Sequence, residues 1–317
     1  MKVTEHLERA ERPLISFEII PPLRGGDVKG LLGLIDDLVK FNPPFIDITS
    51  HAAEVIYEET QQGAIQRRVK RKRPGTLGVC ALIQNKYHID AVPHILCQGF
   101  TREETEDFLI ELKYLGIDNV LAVRGDDSAY QKPLPHGRSA NRYAVDLVSQ
   151  ICAMNQGRYL EQDLLDAEPT AFCIGIGGYP EKHFEAPNLL ADVRRLKEKV
   201  AAGAHYIVTQ MFFDNERYFR FVEACRAQGI TVPIVPGLKI LTSKQQLSSL
   251  PRNFYVDIPA DLSDAVLAAA PERVLDVGIE WATRQVAELL DHGALSVHFY
   301  IMQSANAVKR VMGQLKL

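Results

Sequence analysis

The chain has 317 residues, 46% of them hydrophobic, enough material for an interior that needs no disulfide or metal to hold it together. Its 36 Lys and Arg against 40 Asp and Glu leave a net charge of −4, which argues against a dedicated nucleic-acid or anionic-membrane surface. Cys80, Cys97, Cys152, Cys173 and Cys225 are widely spaced without a CxxC pair, and no signal-like core or long apolar span occurs; the expectation is a cytoplasmic protein without disulfide framework, zinc site, membrane or nucleic-acid partner.

In chain order, the first predicted strand is Leu14–Ile20, with a carboxylate, Glu18, between Phe17 and Ile19 near its C-terminal end. A carboxylate in an apolar strand is costly unless paired, so Glu18 is a candidate general acid or half of a structural ion pair. A helix over Val28–Phe41 stops at Asn-Pro-Pro before the strand Phe45–Ser50, which ends on Thr49, Ser50 and His51. Arg67–Arg73 places six positive charges in seven residues, either a solvated face or a site for an anionic substrate tail or partner. Thr76–Ile83 is predicted helical, because the nine residues separating it from Val92 leave too little chain for a crossover between two strands.

The strand Val92–Cys97 carries His94, and Thr101 with Glu104 forms a capping box opening a helix over Arg102–Leu115. The strand Asn119–Val123 leads into Arg124-Gly125-Asp126: a guanidinium for a phosphate, a glycine for close backbone approach, a carboxylate for a heterocycle or a developing cation. The segment Asp126–Ser139 is the longest loop, a candidate lid or surface insertion, before a helix over Ala144–Met154. The strand Ala171–Ile176 is followed by a glycine-rich stretch with Tyr179 and His183 that is no dinucleotide fingerprint, since Pro180 occupies the last glycine position. Asp192 and Lys199 share a face of the helix Leu189–Ala202, reaching one ligand or only solvent. Gln210 closes the strand His205–Met211 with an amide suited to bidentate recognition, and a helix over Asn215–Gln228, a strand over Val232–Pro236, a helix over Ala270–His292 and a strand over Ser296–Ile301 complete the series. Eight strands separated by helical segments predict an α/β fold, a single-domain (β/α)8 TIM barrel over residues 1–317, with candidate residues gathered at the strands' C-terminal ends.

Taken in order, Ser16-Phe17-Glu18, Pro93-His94, Arg124-Gly125-Asp126, Tyr143-Ala144, Gly178-Tyr179-Pro180-Glu181, Asp192 with Lys199, Gln210 with Phe212-Phe213-Asp214, Pro236-Gly237 and His298-Phe299-Tyr300 resemble methylenetetrahydrofolate reductase over nearly the whole chain. The length suits the bacterial form without a regulatory domain. The resemblance implies a ping-pong flavoenzyme of one-carbon metabolism and methionine supply: NADH or NADPH reduces FAD, which reduces 5,10-methylenetetrahydrofolate to 5-methyltetrahydrofolate. It implies Glu18 and Asp126 as catalytic residues that also meet substrate, and Gln210 as the folate-orienting residue. Cofactor positions carry over onto Thr49, His94, Arg124, Gly125, Asp126, Tyr143, Ala144, Tyr179, His183, Asp192 and Lys199, with no metal and a homo-oligomeric assembly. The chain departs from the bacterial pattern at Thr242-Ser243-Lys244-Gln245, where an aromatic contacting nicotinamide and folate is expected, and at Ser50-His51, where that pattern has Tyr-Gly. Other readings are a different flavin-dependent barrel oxidoreductase such as a proline or amine dehydrogenase, the same reductase fed by a partner protein, or a non-enzymatic binder, which has no need of Glu18 and Asp126.

Overall fold

Eleven strands alternate with helices among the residues described by the computed structural model, 1–125, 132–302 and 304–315. The strands are β1 (Leu14–Ile19), β2 (Phe45–Ile48), β3 (Glu54–Glu59), β4 (Ile65–Lys70), β5 (Asp90–Leu96), β6 (Asn119–Val123), β7 (Cys173–Gly178), β8 (Tyr206–Thr209), β9 (Ile234–Val235), β10 (Gly237–Leu238) and β11 (Ser296–Met302). The helices are α1 (Val3–Glu8), α2 (Val28–Val39), α3 (Thr76–Leu82), α4 (Arg102–Tyr114), α5 (Ala144–Met154), α6 (Leu189–Ala201), α7 (Asn215–Ala227), α8 (Gln246–Phe254), α9 (Ala260–Ala268), α10 (Val274–Asp291) and α11 (Asn306–Gln314).

Nine strands form one parallel sheet in the order β10-β11-β1-β2-β5-β6-β7-β8-β9. Its two ends, β9 and β10, are separated only by Pro236, whose missing N–H interrupts the ladder. They act as one stave, β9 pairing β8 and β10 pairing β11, so the sheet closes as the expected (β/α)8 barrel.

Alternation along each stave sorts the residues between two cores. Phe17, Ile46, Ile95, Val120, Ile174 and Phe299 face the helices, where they pack with Ile35, Leu38, Leu112, Ile151 and Val286. Phe17 and Phe299 are fully buried, and truncating either to alanine costs about 3–5 kcal/mol. Phe45, Val92, Leu121, Tyr206, Val208 and Val235 fill the lumen. The Tyr206 ring occupies the space a side chain on Gly175 would need, since a Cβ there would lie 2.3 Å from Cζ of that ring. Val3 and Leu7 of α1 plug the N-terminal mouth.

All eight predicted strands and the helix over Thr76–Leu82 are present, the latter running into a π-turn at Ile83–Tyr87. The capping box holds, with Glu104 N–H donating to Thr101 Oγ1 at 3.1 Å and Thr101 N–H donating to Glu104 Oε2 at 2.9 Å. The structure adds α1, α8, α9, α11 and an exposed antiparallel hairpin, β3–β4, inserted between β2 and α3. Half of the basic run therefore lies on a strand, β4, and the rest on the segment leading back to the barrel.

Candidate active site

Register decides which side chains meet at the C-terminal mouth. Glu18 pairs with Asp47 on β2 and with Tyr300 on β11, while Ser16 pairs with His298, so these groups share the inward face of three adjacent staves. His94 from β5 completes the cluster, its Nε2 standing 3.4 Å from Glu18 Oε2 and 3.6 Å from Asp47 Oδ2. One level below, Ser16 Oγ and His298 Nδ1 are 2.8 Å apart. Lys239, just beyond β10, donates to the Tyr300 carbonyl at 2.9 Å, and the Tyr300 hydroxyl donates to the Thr209 carbonyl at 2.5 Å.

Asp47 is fully buried, and among the described residues neither carboxylate oxygen has a hydrogen-bond partner, which leaves His94 at 3.6 Å as the group that can compensate it. Burial works against a charged His94, yet Asp47 and Glu18 outweigh it and raise the imidazole pKa. His298 is shifted the other way, lowered by burial and by His94 against the pull of Asp47, which favours the neutral ring beside Ser16. Burial pushes the Lys239 ammonium down to about 8 although Glu18 pulls it up, and burial followed by Glu18 raises the Tyr300 phenol. The cluster can hold, share and move protons. Among the described residues no three His, Cys, Asp or Glu groups are placed to hold a metal ion.

A second group lies across the mouth on β6, β7 and α6. Arg124 follows β6 and donates through Nη1 to Glu185 Oε2 at 2.7 Å. Gly125 beside it has φ +93°, a conformation costly for any other residue. Tyr179 and His183 stack edge to face at 4.8 Å, and the His183 N–H donates to Asp192 Oδ2 at 2.8 Å. Lys199 donates to the Gly177 carbonyl at 2.9 Å, and burial lowers its ammonium to about 8 against the attraction of Asp192. Burial also lowers the His183 pKa, on which the charges of Asp192, Glu185, Arg124 and Lys199 all act, so these groups form one neighbourhood.

Thr49, just after β2, adds to the first group a buried Oγ1 that has no hydrogen-bond partner among the described residues. Gln210 ends β8, its backbone N–H donating to the Gly178 carbonyl at 2.8 Å and its side-chain oxygen accepting from Met211 N–H at 2.9 Å. Tyr143 and Ala144 open α5; Tyr143 is 48% exposed, its ring 5.3 Å from the Arg142 guanidinium, and no hydrogen bond joins its side chain to either group. Asp126, the expected partner of Glu18, lies outside the described residues.

Sequence reasoning missed Asp47 and Lys239. Asp47 carries the signal that singled out Glu18, an acid inside an apolar strand, here Phe-Ile-Asp-Ile. Lys239 follows the same logic as a lysine between Leu238 and Ile240.

Comparison with known proteins agrees with the architecture. The family model for methylenetetrahydrofolate reductase matches residues 2–316. A relative from Arabidopsis thaliana, methylenetetrahydrofolate reductase (NADH) 1, is 30% identical over 95% of this chain and 48% of its own length. The 5,10-methylenetetrahydrofolate reductase of Pectobacterium carotovorum is 30% identical over 92% of this chain and 86% of its own. The chain thus spans about half the length of the eukaryotic relatives it matches and most of the bacterial one. Among solved structures, a Clostridium thermocellum protein described as binding two copies of 5-methyl-5,6,7,8-tetrahydrofolic acid has TM-score 0.57 at 12% identity, covering 98% of this chain and 96% of that one, a likeness of fold.

Proposed function

The chain belongs to the methylenetetrahydrofolate reductase family, and from that premise we propose that it reduces 5,10-methylenetetrahydrofolate to 5-methyltetrahydrofolate, with FAD as hydride carrier and NADH or NADPH as reductant. The observation that carries the reading is the proton-bearing cluster of Glu18, Asp47 and His94 at the mouth where a (β/α)8 barrel does its chemistry.

The residues present fit the flavin. Arg124 and Lys199 offer two cations on one side of the mouth for a pyrophosphate, Asp192 suits hydroxyls, Tyr179 and His183 offer ring faces, and Thr49 Oγ1 is a buried hydroxyl lacking a partner. When bound, FAD supplies the redox chemistry, taking hydride from the nicotinamide and giving it up to the folate. Arg124 can turn from Glu185 to a phosphate, because Glu185 is 39% exposed.

The folate's five-membered ring must open to an iminium cation before hydride can reach its methylene carbon, and opening requires a proton on the departing amine. Glu18 stands on the inward face of β1, where it can donate that proton. His94, 3.4 Å away with a raised pKa, is placed to restore the proton to Glu18, and the buried Asp47 carboxylate stabilises the imidazolium. The Gln210 amide NH2, without a partner among the described residues, is available to orient the pterin.

The purified protein should show an oxidised flavin spectrum that bleaches anaerobically with NADH or NADPH and returns on adding methylenetetrahydrofolate. Bleaching without return places the chain with another flavin-dependent oxidoreductase. Bleaching by dithionite but by neither nucleotide assigns the electrons to a partner protein.

A further inference from the structure

The basic run is built into the rim of the mouth. Arg71 donates through Nε to the His51 carbonyl at 2.8 Å, with its guanidinium carbon 5.3 Å from the centre of the Phe100 ring. Arg73 donates through Nη1 to the Pro21 carbonyl at 2.7 Å. From the β1–α2 loop, Arg24 reaches the Arg71 carbonyl through Nε at 3.2 Å, and its backbone N–H donates to the Lys72 carbonyl at 2.7 Å. Pro21 and His51 lie just beyond β1 and β2, so three guanidiniums are gathered where the staves of Glu18 and Thr49 end.

These three charges are unlike those around them. On the hairpin, Arg68 pairs with Glu58 at 2.8 Å and Lys72 with Glu54 at 2.7 Å. Arg24, Arg71 and Arg73 have no carboxylate partner within 4.0 Å among the described residues; each gives one N–H to a backbone carbonyl and keeps the rest of its fork. Arg71 is partly buried and held near Arg24, so burial and like-charge repulsion both act against its charge. One bond from each ties the loops together, but like charges held side by side repel, and an anion bearing several carboxylates would relieve the repulsion and find planar forks to match.

We propose that Arg24, Arg71 and Arg73 bind the glutamate carboxylates at the tail of the folate substrate, an inference that rests on the functional reading above. The cluster lies on the β1–β2 side, next to the Glu18 group that handles folate, while the dinucleotide's anionic groups are provided for by Arg124 and Lys199 on the β6–α6 side. A chain of γ-linked glutamates carries one extra carboxylate per residue, which gives three separate forks something to do.

The test compares binding of 5-methyltetrahydrofolate carrying one or three glutamates to the flavin-loaded protein by calorimetry, alongside steady-state KM values for both nucleotides. The unaltered protein should bind the triglutamate about three- to tenfold more tightly, an advantage that shrinks with salt. The double variant Arg24→Gln with Arg73→Gln should bring the ratio towards one, and Arg24→Lys with Arg73→Lys, which keeps the charge but loses the planar fork, should fall between the two. Equal affinity for both tail lengths in the unaltered protein, or a ratio the glutamine pair leaves intact, overturns the tail site. A rise in KM for NADPH alone assigns the cluster to a nucleotide phosphate and overturns it too. Protein that binds and turns over both lengths alike fails only this proposal; protein that binds neither overturns the functional reading and the tail site together.

Discussion

The two mouths of the barrel treat polar groups in opposite ways. At the N-terminal mouth the polar groups around α1 find partners: Asn119 accepts from Val3 N–H and donates to the Met1 carbonyl, both at 2.9 Å, and the Asp90 carboxylate takes the terminal ammonium at 2.9 Å and His6 at 2.6 Å. Burial raises the Asp90 pKa, yet its bonds to those two groups outweigh it and the net shift is downward, the mark of a carboxylate with its partners in place. At the C-terminal mouth Asp47, Thr49 and His94 keep buried atoms without hydrogen-bond partners among the described residues, and two lysines are driven to about 8. Folding selects for satisfied groups, so satisfaction at one end and its absence at the other separate what holds the barrel together from what the barrel holds ready.

The strongest way to break this contrast is at Glu18. Glu18→Gln should cut folate reduction by about 10²- to 10⁴-fold while the flavin remains reducible by nucleotide and the melting temperature barely moves. Anaerobic half-reactions followed separately would show it, and folate turnover at the original rate would remove Glu18 from the chemistry. Next in size, Lys199→Met should weaken FAD binding about tenfold, read as flavin lost on gel filtration and recovered by added FAD. Full retention would mean that Lys199 serves only its bond to the Gly177 carbonyl.

The opposite mouth should answer with stability alone. Asn119→Ala strands the buried Val3 N–H and the Met1 carbonyl, at a cost of about 1–3 kcal/mol and a fall in Tm of roughly 2–4 °C per kcal/mol, with kcat unchanged. An altered kcat at unchanged Tm would erase the distinction between the two ends.

How far the sequence announces these roles depends on how local each signal is. The staves and most helices are legible because their periods lie within a few residues, and Glu18 stands out as an acid between Phe17 and Ile19. Asp47 shows the same local signal between Ile46 and Ile48, but its role comes from register: β1 pairs with both β2 and β11, and only that pairing sets Asp47 and Tyr300 beside Glu18. The β3–β4 hairpin is hidden for another reason. Its two β-rich runs flank a turn with Gly63 at φ +78°, an ordinary hairpin signal, but the Arg and Lys density of β4 reads as a solvated charge run until the strand pairing is known. Likewise Arg24 and Arg73 are far apart in the chain, and only the folded β1–α2 loop brings them together.

The smallest effect is the finest test, because it asks whether the upper cluster carries charge. His94 has a pKa raised by Asp47 and Glu18 against the cost of burial, so between its unfolded value of ~6.5 and its folded value the native state holds a proton that the unfolded chain has released. The stabilisation from that contact is complete below ~6.5 and fades as pH rises through the folded pKa. Asp47→Asn keeps the shape but removes the larger of the two raising influences, so the His94 pKa falls towards its unfolded value and this limb of the stability profile flattens. Melting curves of both proteins from about pH 5.5 to 9 should converge towards the alkaline side and separate below neutrality by a few degrees, with the unaltered protein higher. Curves that stay parallel across the range would show His94 to be neutral throughout and deprive Glu18 of its proton source.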